Sequence, residues 1–142
     1  MITLGTFLAL APAGAQAGLQ IDSLFSGAFV PAAKVTESVV SGKELKPYNL
    51  DYFRSMRFLA SQQEIGRVVA WIESDALTAL NKEMDSEEGE LTYALLSFPA
   101  DKGKHRYVGF QIKEAAGNRF VTVVYLSGKA TAFDLKVIFK HR

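Results

Sequence analysis

Three runs in the second half of the chain, Leu91 to Phe98, Arg106 to Lys113 and Arg119 to Leu126, are rich in β-branched and aromatic residues, are bounded by turn residues and read as strands. The links between them, Pro99 to Lys104 and Glu114 to Asn118, are far shorter than the dozen or so residues that a parallel crossover needs. The three strands must therefore form an antiparallel meander. Along the third, Val121, Val123 and Tyr125 lie on one face and Phe120, Val124 and Leu126 on the other, so both faces are apolar. A strand of that kind belongs in the middle of a sheet.

The element that covers such a sheet precedes it. Ser61-Gln62-Gln63-Glu64 is a capping box, in which the serine hydroxyl and the glutamate carboxylate satisfy each other's free backbone donors. Ile65, Val68, Val69, Ile72, Ala76 and Leu80 then form one apolar stripe, predicting a helix over Ser61 to Leu80 with Trp71 beside the stripe. Met84 to Glu90 reads as an acidic connection between helix and meander. Earlier, Asp22 is placed to cap a short helix carrying Leu24, Phe25, Ala28 and Phe29, limited by Pro31. Lys34 to Ser41 is β-rich and Gly42 marks a turn. Lys46-Pro47-Tyr48-Asn49 interrupts the pattern, because proline removes a donor and restricts its predecessor. Tyr52 to Leu59 fits helix or strand, and strand is preferred. The tail from Lys129 to Lys140 also has two readings. Thr131 and Asp134 resemble a cap before a helical face, whereas Phe133, Leu135, Val137 and Phe139 alternate as a strand would. A further strand is the expectation.

The first seventeen residues read as an export signal: Thr3 to Leu10 is apolar, Pro12 and Gly14 break it, and Ala15-Gln16-Ala17 gives the small-x-small pattern of a cleavage site. No Lys or Arg precedes the apolar run, and the first charged residue is Asp22, so the biological start is expected upstream of Met1 or the chain to have been trimmed there. A buried N-terminal helix is the alternative. The run falls short of the ~20 residues needed to cross a bilayer, so no stable membrane span is expected.

Residues 18–142 make about one ordinary domain. A net charge of +1 gives no electrostatic case for nucleic acid. The absence of cysteine removes disulfides, thiolate metal sites, iron–sulfur clusters, a cysteine nucleophile and a lipoprotein anchor. An exported domain without disulfides must rest on its hydrophobic core, which favours a bacterial periplasmic or secreted protein.

No constellation for catalysis stands out. The two histidines, His105 after a Lys-Gly-Lys loop and His141 next to the C-terminus, lack the neighbours of a triad or a zinc site. Asp85, Glu87, Gly89 and Glu90 lack the full spacing of a calcium loop and read as a solvated turn. No phosphate-cradling glycine pattern occurs. No catalytic, cofactor-binding or metal residues are assigned. Tyr48, Tyr52, Phe53 and Trp71 could form an aromatic platform, with core packing expected for three of them and Tyr48 the one to test.

The order of Ile21-Asp22-Ser23-Leu24-Phe25, Val35-Thr36-Glu37 and Tyr48-Asn49-Leu50 resembles small exported proteins of gut Bacteroidales grouped as domains of unknown function. That resemblance implies an origin and an envelope location and carries no site residues. The expected fold is α+β: an antiparallel sheet of about four to six strands packed on one main helix, with a short N-terminal helix at an edge. The expected function is non-enzymatic binding of a protein partner or small envelope ligand. The alternatives are a glycan hydrolase using two carboxylates ~5 to 9.5 Å apart, and an assembly or regulatory subunit that pairs through a sheet edge.

Overall fold

The computed structural model describes residues 19–26, 29–31, 34–131 and 133–135. The expected signal segment 1–17 and His141 lie outside the described residues. The fold is α+β, built on a six-stranded antiparallel sheet. Its strands are β1 (Val35–Ser41), β2 (Leu50–Leu59), β3 (Asn81–Glu87), β4 (Glu90–Asp101), β5 (Lys104–Ala115) and β6 (Asn118–Gly128). They lie in the order β1-β2-β6-β5-β4-β3. The predicted meander is β4 to β6, and β6 is central, as its two apolar faces require. Tyr52 to Leu59 falls within β2 and is strand.

Helix α2 (Gln62–Ala76) joins β2 to the opposite edge of the sheet. Its capping box is complete: the Glu64 N–H donates to Ser61 Oγ at 3.1 Å and the Ser61 N–H to Glu64 Oε1 at 2.8 Å. Ile65, Val68, Ile72 and Ala76 bury against Met56 and Phe58 of β2, Val108 and Phe110 of β5, and Val121, Val123 and Tyr125 of β6 in one core. The helix stops short of the expected Leu80. Tight turns take over where Leu77 and Thr78 donate to Ser74 and Asp75 carbonyls, and the Leu80 N–H already bonds Ser97 O of β4 at 2.7 Å. Leu77 and Leu80 are consequently exposed.

Helical structure is more dispersed than one main helix with one companion. The N-terminal α1 is a single turn, Asp22–Phe25, ending before Phe29. Asp22 does not cap it, since it is the first helical residue and no side chain caps at Ile21. Asp75, near the end of α2, instead anchors the turn that leads into α1: its Oδ1 accepts from the Gln20 N–H at 2.6 Å and its Oδ2 from the Ile21 N–H at 2.9 Å. A 3-10 helix, η1 (Gly42–Tyr48), holds Pro47 and connects β1 to β2.

Two expectations are corrected. The acidic connection Met84 to Glu90 is mostly strand β3 with the Glu88-Gly89 turn, because Asn81–Glu87 pairs along β4 while Met84 alone reaches the core. The tail does not begin as a strand: 133–135 is helical, and Thr131 and Asp134 cap it, with the Asp134 N–H donating to Thr131 Oγ1 at 3.2 Å and the Thr131 N–H to Asp134 Oδ2 at 2.9 Å. That turn brings Leu135 and Ala130 onto the sheet face opposite α2. There they bury a second core with Leu45 of η1, Leu50, Leu95, Tyr107, Val124 and Leu126. The Tyr107 hydroxyl donates to Ala130 O at 2.6 Å, and burial pushes the Tyr107 phenol up from its ordinary value.

Candidate functional site

The four aromatics singled out in the sequence do not assemble into a platform. Tyr52 stacks edge-on against Tyr125 at 5.9 Å on the α2 side, while Phe53, its neighbour in β2, packs on the opposite core. Trp71 packs against the α2-side core and meets Phe29 edge-on at 5.0 Å. Tyr48 in η1 is the one left outside, 51% exposed.

His105 is exposed at the start of β5 with its ring tilted beside Tyr107. Asp85 and Glu87 are spread along β3, and among the described residues no group of three or more His, Cys, Asp or Glu is placed to hold a metal ion. Several carboxylates are committed to structure. Glu64 belongs to the α2 cap. Glu90, at the start of β4, pairs with Arg119 of β6, which also donates to Gln62 Oε1 at 3.1 Å. The Arg119 guanidinium holds the Glu90 carboxyl below its ordinary range, and this trio pins the first turn of α2 to the sheet. Asp51 meets Lys104 Nζ at 2.8 Å and accepts from Ser127 Oγ at 3.1 Å. A cavity of about 360 Å³ is lined by Phe29, Gln63, Glu64 and Arg67. Its single carboxylate is the one engaged in the cap, so this cavity does not offer the two-carboxylate arrangement of a glycosidase.

What the fold does present is a pair of unequal sheet edges. An edge strand exposes unpaired N–H and C=O groups, and proteins guard such edges with charge. Strand β3 is guarded in this way by Lys82, Glu83, Asp85 and Glu87. Strand β1 is not. Its sequence, Val-Thr-Glu-Ser-Val-Val-Ser, holds a single charged residue. Glu37 is turned onto β2, where its Oε2 accepts from Arg54 Nε at 2.6 Å. Arg54 is held from behind by the Phe25 carbonyl at 2.9 Å and by the Phe25 ring, 4.7 Å below the guanidinium. This arrangement neutralises the edge's only charge and leaves Val39, opposite Arg54 in the register, 57% exposed. The sequence indicated a strand here. That it ends the sheet depends on long-range pairing of β2 with β6, for which the local pattern has no signal.

No helix among the described residues is long and apolar enough to cross a membrane. Neither a curated protein nor a solved structure matches the chain. A family model described as a family of unknown function (DUF6108) matches residues 8–139, from the apolar N-terminal run to the C-terminal tail. The chain therefore belongs to the DUF6108 family.

Proposed function

We propose that this protein is an exported, non-catalytic binding or accessory protein that recognises an extended segment of a protein partner along the outer edge of β1. The observation that carries the reading is the contrast between the edges: β3 is lined with charge, whereas β1 has its one charge paired with Arg54 of β2 and Val39 exposed. An added strand gains main-chain hydrogen bonds along β1, and an apolar side chain placed beside Val39 supplies selectivity. Export to the periplasm or beyond is supported by the apolar run and the Ala15-Gln16-Ala17 pattern. It also fits the resemblance to small exported Bacteroidales proteins.

Amide hydrogen exchange on the full chain, alone and with a panel of Val/Thr-alternating peptides, tests the binding edge. Protection of β1 amides by a peptide is expected, with Val39→Lys weakening that peptide's affinity at least about tenfold because it places a charge on the edge. Protection confined to other parts of the molecule, or no protection at β1 across the panel, refutes the reading.

A further inference from the structure

We propose that the end of the sheet where β1, β4 and β6 finish is a peripheral docking surface for an anionic phospholipid bilayer, made by exposed apolar side chains set among lysines. The paired positions Ser41, Tyr52, Ser127, Arg106 and Phe98 form one row across five strands. Strand β3 begins at the same level, where the Leu80 N–H bonds Ser97 O at 2.7 Å. Beyond this row lie η1, the Lys102-Gly103 turn, the link from α2 to β3 and the start of the tail. These segments hold four of the six exposed large apolar side chains among the described residues: Tyr48, Leu77 at 81%, Leu80 at 65% and Phe133 at 73%. Single apolar residues on a surface need no explanation, but their gathering at one end does. Of the other two, Val39 lies midway along β1 and Leu59 closes β2 at the far end.

The same segments carry exposed lysines: Lys43 and Lys46 in η1, Lys102 in the turn, Lys104 at the start of β5 and Lys129 after β6. Much of the acid there is already engaged. Asp51 pairs with Lys104, Asp134 closes the tail cap, and Asp101 stands opposite Lys104 in the register, while Glu44 is exposed beside Lys43. The far end has the reverse character, with Asp85, Glu87, Glu88 and Glu114 exposed near the β3–β4 and β5–β6 turns and Arg119 committed to Glu90. Ammonium groups are drawn to headgroup phosphates, and leucine and aromatic side chains between them enter the interface, a depth that tyrosine also favours. Leu77 and Leu80 follow α2 on one side of the sheet, whereas Tyr48 and Phe133 belong to the segments that bury Leu45 and Leu135 on the other. A contact spread across both sides suits a broad surface better than a single strand or peptide. It lies apart from the middle of β1 and is independent of the partner strand proposed there.

The full chain is sedimented with phosphatidylcholine vesicles that contain phosphatidylglycerol or lack it. Binding to the anionic vesicles is expected, with weaker binding to the neutral ones and a loss on adding salt. Phe133→Ser combined with Leu77→Ser, and separately Lys43→Glu combined with Lys46→Glu and Lys129→Glu, should each weaken binding at least about tenfold. Leu59→Ser at the far end should leave it unchanged. All six side chains are exposed, so the variants keep the fold. No binding to anionic vesicles overturns the inference, and so does equal binding to neutral ones. Binding that either variant set leaves intact also overturns it, since the contact would then lie elsewhere in the chain, the apolar N-terminal run included. Capture of a soluble acidic polysaccharide but not of vesicles would assign the lysines to a different partner and would equally refute it.

Discussion

Gly128 ends β6 where the backbone between Asn49 and Asp51 passes close against it. Its φ is +152°, and a Cβ there would lie 2.6 Å from Leu50 Cα, 2.7 Å from Asn49 O and 3.0 Å from Asp51 N. All three are main-chain atoms, so no side chain can swing aside. The crossing is fixed from both directions: Asn49 is itself left-handed at φ 59°, its N–H bonds Lys46 O, and its carbonyl accepts from Ala130 at 2.8 Å. Gly128→Ala must therefore part β2 from β6 or break the entry to the tail. A loss of about 2–3 kcal/mol is expected in urea unfolding, the upper part of the range for strained backbone positions. A loss under about 1 kcal/mol would mean that the crossing relaxes. At the same scale, Asp75 shows how a residue can defy its local sequence. It sits mid-stripe as an ordinary helical polar residue, yet it anchors a turn fifty-odd positions away.

The elements of the second half are set by their turns as much as by their strands. Glu88-Gly89, Lys102-Gly103 and Ala116-Gly117 each have positive φ at both positions, the two-residue geometry that suits the twist of a hairpin. The first position of each is filled by a residue with a Cβ and no local hydrogen-bonding advantage in that region. Ala116→Asn, between the paired residues Ala115 and Asn118, is expected to raise stability by about 0.5–1 kcal/mol, read as a higher urea midpoint at unchanged slope. No gain would show that the left-handed cost at Ala116 is already met by the flanking ladder. The elements with strong apolar content are legible in the sequence: α2 from its capping box and stripe, and β4 to β6 from β-rich runs joined by short links. Strand β3 was hidden because Asn81–Glu87 offers one apolar residue, Met84, and its strand character comes from the partner it borders. The tail went the other way. Phe133 and Leu135 alternate convincingly, but the reciprocal Thr131–Asp134 cap is a local commitment that alternation cannot override. The β1 edge lay between these cases, visible as a strand and invisible as an edge, since edge status is a property of sheet order.

Across the whole molecule, one sheet separates two cores and also joins them. Strand β6 gives Val121, Val123 and Tyr125 to the α2 side and Val124 and Leu126 to the other, so neither core can be lost without disturbing the same backbone ladder. The side chains that close the cores from outside are nevertheless independent: Ile72 of α2 and Leu135 of the tail are both fully buried and share no cluster. Ile72→Val should cost about 0.5–1.5 kcal/mol and Leu135→Ala about 2–5 kcal/mol. Their sum should hold in the double variant to within about 0.5 kcal/mol, because distant sites without common partners add. Cooperativity should survive too, with fluorescence and far-UV circular dichroism tracing one urea transition, since β6 couples the faces. Two separated transitions in Leu135→Ala would show that the second core is a detachable layer. The tail would then be able to leave the sheet while the α2 side stays folded, baring Val124 and Leu126 to whatever partner the protein meets.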